Sequence, residues 1–227
     1  MPELSRGAPA LAVILHLLDT HPSITSITLI EYQASPTFKQ VARRVHRAFD
    51  QTLDRRLQHG ANPARVHNID RPLLTSNHLR RLVADLPGDR ALAFGSQVIL
   101  RDGQRVHIPL LDFQCSQSRP NLQRLTLAMR RLESNGGVIL RSQNSYHFYG
   151  LSCLSDRLWR QFVGRSLLLE PLVDVRYLGH CLIDGHALLR ISPREPGGAS
   201  PSVVAIIDRA AEPLGLAARS RASGRNC

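Results

Sequence analysis

Three short stretches of the chain carry the residue types best suited to chemistry, and each lies at the end of a predicted strand. The first holds Asp112 and Gln114, the second runs from Ser142 to His147, and the third holds Asp174. Side chains two apart on a strand share a face, so Asp112 and Gln114 project together. Carboxylate and carbonyl oxygens suit Mg²⁺ or Mn²⁺, while the backbone amides of a tight polar turn suit phosphate. Convergence of the three stretches on one sheet face would hold a divalent cation and a nucleoside triphosphate.

Each stretch also has an ordinary structural explanation. An aspartate at a strand end is often a turn or cap residue, and a histidine between aromatic residues is often a satisfied core residue. Asp174 lies two residues before Arg176, which is the pattern of a plain ion pair. Arg190 lies in the apolar run Leu189-Arg190-Ile191, and a buried guanidinium needs a partner. The sequence therefore implies either an anionic ligand or Asp174 beside Arg190.

The overall charge favours a polyanionic partner. The 227 residues include 29 basic and 18 acidic side chains, for a formal net charge of +11. Lys39 is the only lysine, so nearly all basic residues are arginine, which binds phosphate as a planar fork. A GC-rich genome would also replace lysine by arginine. The shortage of lysine excludes a Gly-x-x-x-x-Gly-Lys loop.

Other features narrow the protein class. The four cysteines are dispersed without a Cys-x-x-Cys pair, which makes a structural zinc site or a disulfide framework an unfavourable hypothesis. No apolar run approaches the roughly 20 residues that span a bilayer, and no cleavable leader is evident. We therefore expect a cytoplasmic protein with no membrane association.

The elements that must position these residues follow from periodicity and capping signals. We predict helices at 8–19, 38–58, 76–86, 118–134 and 155–163, with Ser76 or Asn77 capping the third. We predict a loop over 60–72 and strands at 24–33, 91–100, 104–115, 138–141 and 146–149. A further hairpin is predicted from 177–183 and 186–191 around Asp184-Gly185. Residues 203–208 add a strand or pack as an arm.

This order of elements predicts an α+β fold in which a mainly antiparallel sheet packs against helices. Residues 1–90 form an N-terminal α/β part of the same domain, and residues 91–192 form the half that carries the three stretches. Residues 193–227 are a linker and a basic tail, which we predict to be disordered after Arg209 because small and polar residues dominate it.

The motifs resemble those of the archaeo-eukaryotic primase superfamily of primases and primase-polymerases. That family carries Asp-x-Asp, Ser-x-x-x-x-His, a lone Asp after hydrophobic residues, and an arginine strand, in this order. Here they correspond to Asp112-x-Gln114, Ser142-x-x-x-x-His147, Asp174 and Arg190. The resemblance covers 92–192 and implies an RRM-like primase catalytic core, with the first ninety residues as the variable half.

The resemblance implies a nucleotidyltransferase that uses two metal ions, Mg²⁺ or Mn²⁺, to join a nucleotide to a nucleic-acid 3′-hydroxyl. Its catalytic residues would be Asp112, Asp174 and His147. Asp112, Gln114 and Asp174 would hold metal, and the triphosphate would meet a set of polar and basic side chains: Ser142, His147, Arg190, Arg141 and Arg176. The implied partners are DNA or RNA, nucleoside triphosphates, and a helicase or other protein that supplies unwinding, with a role in DNA replication or repair.

Two departures from the family pattern leave alternatives open. Gln114 stands where the family has a second acid, and Gln143, Asn144 and Ser145 replace the usual glycines of the histidine turn. The alternative is therefore a catalytically inert primase-fold protein that binds nucleotide or nucleic acid as an accessory factor. A third hypothesis is an unrelated basic α+β protein that binds RNA, although the 5% aromatic content provides few rings for base stacking.

Overall fold

The computed structural model describes residues 4–34, 63–133, 135–194 and 197–208. Within these ranges the chain forms five α-helices and nine strands, and the strands build two antiparallel sheets. The predicted α+β class is confirmed. The predicted helix at 38–58, Lys39 and the predicted tail after Arg209 lie outside the described residues.

The first sheet is built on two long strands that pair along their length. Its strands are β1 (Ile24–Gln33), β2 (Pro63–Asp70), β3 (Arg90–Leu100), β4 (Arg105–His107) and, much later in the chain, β8 (Leu188–Arg190). The order across the sheet is β2-β1-β3-β4, and β8 also pairs with β3. Strand β4 pairs with the second half of β3, and β8 pairs with an earlier stretch of it. The predicted hairpin around Asp102-Gly103 is thus confirmed for β3 and β4.

The second sheet contains the strands that carry Asp112 and the stretch from Ser142 to His147. Its members are β5 (Leu110–Asp112), β6 (Gly137–Ser142), β7 (Ser145–Gly150) and β9 (Ser202–Ile207), in the order β5-β7-β6-β9. The predicted hairpin of β6 and β7 is confirmed. Residues 203–208, for which two arrangements were open, provide β9 as a strand beside β6.

Four of the five described helices begin where a side-chain oxygen satisfies the first backbone N–H groups, whereas the first helix follows Pro9 without a side-chain cap. They are α1 (Ala10–Thr20), α2 (Ser76–Ala84), α3 (Arg119–Leu132), α4 (Asp156–Ser166) and α5 (Val175–Asp184). Ser118 caps α3 and Ser155 caps α4. The cap of α2 is Thr75, so the predicted cap at Ser76 or Asn77 was wrong by one or two positions.

The predicted hairpin over 177–191 was wrong, because its first half is helix α5. The Asp174 side chain accepts hydrogen bonds from the first turn and starts the helix. Gly185 then ends it in the left-handed region, with φ of 70°. The prediction was wrong because an Asp-Gly pair can end a helix as well as form a hairpin turn. Only its second half, which contains β8, is a strand.

Two other sequence predictions were wrong in their boundaries. The predicted strand 104–115 is divided at Pro109, which lacks an N–H, so that β4 joins the first sheet and β5 the second. The predicted loop 60–72 contains strand β2, which pairs with β1 at the edge of its sheet. Most side chains of β2 that are described lie exposed or half-buried, so the strand lacks the apolar alternation that marks a strand in sequence.

Buried side chains connect the two sheets. The ring of Phe94 on β3 stacks on Tyr149 of β7 with centroids 6.4 Å apart. The ring of Trp159 on α4 stacks on His107 of β4 at 4.4 Å. The first contact packs β3 against the second sheet, and the second packs α4 against the first sheet. Within the described part of the chain, no helix is long and apolar enough to cross a membrane.

Candidate functional site

Asp112, His147 and Ser142 share one face of the second sheet. Asp112 ends β5 directly opposite His147 of β7, and His147 lies opposite Leu140 of β6. Directly opposed residues of antiparallel strands point to the same face, and Ser142 lies two residues beyond Leu140 on that face. The Asp112 side chain is 33% exposed, whereas the His147 side chain is 8% exposed. The face therefore has a buried floor with an accessible carboxylate at its edge.

Arg190 reaches this face from the first sheet. It ends β8, and its guanidinium donates one hydrogen bond to Ser142 Oγ at 3.1 Å and another to the Ser192 carbonyl. The Tyr149 hydroxyl donates to the Arg190 carbonyl at 3.4 Å. Arg190 thus joins the sheets at the point where Asp112 and His147 lie. Burial lowers the pKa of the guanidinium, and the negative charge of nearby Asp112 is among the effects that oppose this shift.

His147 is a neutral imidazole at physiological pH. Burial, with a smaller contribution from the positive charge of Arg190, lowers its pKa to about 3. Its Nε2 lies 3.7 Å from Asp112 Oδ1, which is too long for a hydrogen bond. Because the ring is neutral, this contact is not an ion pair. Its Nδ1 is buried and has no hydrogen-bond partner among the described residues, so the hydrogen-bonding capacity of the ring is not fully used.

Asp174 lies opposite Asp112 across a short antiparallel bridge. Phe113 pairs with Val173, and the Asp174 N–H donates to the Asp112 carbonyl at 3.1 Å. The two aspartates are therefore neighbours, as their predicted convergence requires. The Asp174 carboxylate has a structural role as well, because its Oδ1 accepts hydrogen bonds from the N–H groups of Arg176 and Tyr177 at 3.0 and 3.1 Å.

Gln114 lies two residues after Asp112, on the same side of the bridge, but its side chain binds a backbone carbonyl. Its Nε2 donates to the Pro171 carbonyl at 3.1 Å, and its own N–H donates to the Leu172 carbonyl. This arrangement leaves the side-chain carbonyl oxygen as the atom of Gln114 that a cation could contact. Within the described ranges, no three His, Cys, Asp or Glu side chains are grouped closely enough to hold a metal ion.

A comparison with protein-family models finds a match that includes the residues of the candidate site. The model of the archaeo-eukaryotic primase 1D-like proteins, an AEP-like family, matches residues 72–200, which is more than half of the chain. The chain belongs to the archaeo-eukaryotic primase-like family. No curated protein and no solved structure matches the chain significantly. The match bears out the resemblance drawn from the motifs and excludes the hypothesis of an unrelated basic protein.

The primase-like fold brings together five of the eight side chains predicted to form the site. Asp112, Asp174, His147, Ser142 and Arg190 are linked by strand pairing or hydrogen bonds. Gln114 is adjacent but turned toward Pro171. Arg141 precedes Ser142 on β6, lies opposite Tyr146, and is exposed on the other face of the sheet. Arg176 lies in the first turn of α5, where its N–H binds Asp174.

The histidine turn of this primase-like protein is tight, as the sequence predicts. Strand β6 ends at Ser142 and β7 begins at Ser145, so the turn consists of Gln143 and Asn144. Gln143 has a φ of 50°, which lies in the left-handed region. Its side-chain carbonyl accepts a hydrogen bond from Arg194 at 3.4 Å, and its backbone carbonyl accepts one from Gln117 at 2.7 Å. Gln143, which replaces a family glycine, therefore helps to hold the turn in place.

Two tyrosines that the sequence analysis did not name lie beside the candidate site. Tyr149 lies two residues beyond His147 on β7, so the period of two places it on the same face. Tyr32 at the end of β1 is close enough for the positive charge of Arg190 to act on its hydroxyl, although burial dominates and raises the pKa of Tyr32. Strand alternation alone would have found Tyr149. Nothing in the local sequence places Tyr32 beside Arg190.

We expect Asp174→Ala to reduce the stability of the primase-like fold by about 1 kcal/mol, because it removes an N-terminal helix cap. Asp174→Asn should retain most of that stability, since the asparagine side-chain oxygen also accepts from the N–H groups of Arg176 and Tyr177. Urea denaturation of both variants provides the measurement. Equal unfolding midpoints for Asp174→Ala and the wild-type protein would contradict the capping role. Asp174→Asn is consequently the cleaner variant for removing the charge alone.

Proposed function

We propose that this chain binds a nucleoside triphosphate where Asp112, His147, Ser142 and Arg190 meet. The observation that carries the proposal is the placement of the Arg190 guanidinium, which is held by Ser142 beside a neutral histidine. Within the described part of the chain, its hydrogen bonds end on the neutral oxygens of Ser142 and Ser192. A partly buried guanidinium whose bonds end on neutral groups favours an anion, and its planar fork matches phosphate oxygens.

Each residue of the site has a specific role in this proposal. Arg190 would supply the positive charge, and the Ser142 hydroxyl would fix the orientation of the guanidinium. His147 would donate or accept one hydrogen bond without adding charge, because burial keeps it neutral. Membership of the primase-like family supports nucleotides and nucleic acid as the ligand class, and the net charge of +11 supports binding of a polyanion.

A divalent cation would be held by Asp112 and Asp174, with the Gln114 carbonyl as a third oxygen. Carboxylates on opposed positions of a bridge provide the hard oxygen donors that Mg²⁺ and Mn²⁺ prefer. Two carboxylates and one amide suit a single ion. They do not fit a pair of ions, because Gln114 brings no charge and one Asp174 oxygen is committed to the helix cap. Such a cation would neutralise charge on the triphosphate.

Nucleotidyl transfer to a nucleic-acid 3′-hydroxyl is the second candidate function. The adjacency of Asp112 and Asp174 favours it, since these are the acids that match the family motif. The neutral Gln114 favours the alternative, a primase-fold accessory protein that binds nucleotide without transferring it. Extension of a labelled primer on a DNA template in Mn²⁺ distinguishes these functions. Extension by the wild-type protein that is lost in Asp112→Asn would establish transfer. Binding without extension would establish the accessory function.

We expect Gln114→Asp to raise the affinity for Mn²⁺ by about tenfold, because a third carboxylate adds one negative charge beside Asp112 and Asp174. Isothermal titration of Mn²⁺ into the nucleotide-free protein measures the change. Gln114→Glu is a useful companion, since its longer side chain carries the same charge but places it differently. An unchanged affinity in both variants would show that Gln114 does not lie beside a cation.

A further inference from the structure

The outward face of α3 concentrates positive charge away from the candidate site. The helix carries four arginines and no acidic residue, at Arg119, Arg124, Arg130 and Arg131. Its inward face buries Leu125 and Met129. Helix α3 packs against β9, which lies at the opposite edge of the second sheet from β5, the strand that ends in Asp112. The arginines therefore form a surface of their own.

Two open grooves run along the sides of α3. The groove toward β9 has a volume of about 660 Å³ and is rimmed by Arg6, Arg119 and Arg130. The groove toward the end of α4 has a volume of about 390 Å³ and is rimmed by Arg124, Arg131 and Arg165. Leu127 lines both grooves. We call this combined surface the arginine–leucine face.

The floor of the arginine–leucine face is aliphatic. Leu168, in the turn that follows α4, is 83% exposed, and Leu127 is 53% exposed. Leu132 and Leu169 complete the floor of the second groove. Large aliphatic side chains grouped on a surface and bordered by charge are typical of protein-binding sites. Burying each leucine in an interface would stabilise a complex through the hydrophobic effect.

Charge decides between the possible occupants of this face. The segments 35–62 and 209–227 of the chain each contain more basic than acidic residues, and a second copy carries the same charge of +11. The six arginines that rim the two grooves would repel either segment and a second copy alike. Nucleic acid would satisfy the arginines, but its polar, charged surface would leave the aliphatic side chains of the floor without an apolar partner. An acidic protein segment with its own aliphatic stripe satisfies both the rim and the floor.

We propose that the arginine–leucine face binds an acidic amphipathic helix of a protein partner. Aliphatic residues at helical spacing would enter the groove between Leu127 and Leu168, as in helix-in-groove recognition. Glutamates or aspartates on the flanks of that helix would contact Arg124, Arg131 and Arg165. This surface is independent of the nucleotide site, so a partner can dock there while the candidate site is occupied.

The test uses the full chain and a labelled synthetic 18-residue helical peptide with leucines on one face and glutamates on its flanks. Fluorescence anisotropy should show micromolar binding by the wild-type protein. Arg124→Glu combined with Arg131→Glu should weaken binding at least tenfold, since two attractive contacts become repulsive. Leu168→Ser should weaken it several-fold at unchanged charge. The matched control, Arg80→Glu with Arg81→Glu on α2, alters the same charge elsewhere and should change binding less than twofold.

Three results would overturn the proposal. The first is no binding of the acidic peptide by the wild-type protein at millimolar concentration. The second is an equal loss of binding in the α2 control and in the α3 variant. The third is displacement of the peptide by a single-stranded DNA of similar length whose own binding requires Arg124 and Arg131 but not Leu168, which would assign the face to nucleic acid. Arg190→Gln should leave peptide binding unchanged, which separates this test from that of the nucleotide site.

Discussion

Arg190→Gln is expected to lower the affinity for a nucleoside triphosphate by about 10- to 100-fold, the largest binding effect that the structure predicts. Hydrogen bonds to a charged group contribute roughly 1.5–3 kcal/mol, which corresponds to that range. Glutamine retains an amide donor but removes the positive charge and the planar fork. Equilibrium binding of a labelled triphosphate, at constant ionic strength and constant Mn²⁺ concentration, measures the effect.

Arg141→Gln is the matched control for this prediction. Arg141 is exposed on the opposite face of β6 from Ser142, so the same change of charge occurs one residue away from the site but on the wrong side of the sheet. Its effect should stay below about threefold, which is what weak long-range electrostatics at physiological ionic strength allow. Equal losses in both variants would mean that net charge, and not the Ser142–Arg190 contact, governs binding. Urea denaturation of each variant identifies any loss caused by unfolding.

Acid should destabilise the fold steeply, and two buried histidines should account for much of the slope. Burial lowers the pKa of His107 to about 4 and that of His147 to about 3, whereas an unfolded histidine has a pKa of about 6.5. Below about pH 6.5 the unfolded chain therefore binds two protons that the folded chain does not. Above that pH the two states bind the same protons at these residues, and the free energy of unfolding declines as the pH falls toward 4 and then 3.

The expected slope is about 1.4 kcal/mol per pH unit for each histidine between roughly pH 6 and 4. His107 is held by its stacking on Trp159 and a 3.3 Å contact of Nδ1 with Ser96 Oγ. Its Nε2 lies 3.7 Å from Asp156, whose charge raises the pKa of His107, but burial outweighs that effect. Urea denaturation across this pH range should show a shallower dependence for His107→Gln and for His147→Gln. Slopes identical to that of the wild-type protein would contradict the neutral state of these residues.

The sequence predicted local elements well where capping and periodicity acted together. Ser118 with Pro120 began α3, and Ser155 began α4, because these signals operate within one turn of a helix. The prediction over 177–191 was wrong because Asp184-Gly185 has two uses, and the choice depends on the capping of Val175–Asp184 by Asp174. Strand β2 was missed because its stability comes from pairing with β1.

The candidate site was predictable in part for the same physical reason. The pairing of Asp112 with His147 follows from antiparallel register, and the period of two already separates Arg141 from Ser142. The contact between Arg190 and Ser142 joins residues 48 positions apart in different sheets, and no local rule specifies it. Only the three-dimensional fold shows that Asp174 is a helix cap as well as a neighbour of Asp112.

Binding of a triphosphate at His147 and Arg190 is tested most directly by nuclear magnetic resonance of the imidazole nitrogens in the full chain labelled with ¹⁵N-histidine. His147→Gln assigns the signals of that ring. Addition of a nucleoside triphosphate with Mg²⁺ should shift the His147 signals in a saturable manner, and the corresponding nucleoside should not, because the site recognises phosphate. Saturable binding of the triphosphate that leaves the His147 signals unchanged would place the nucleotide elsewhere and contradict the proposed site.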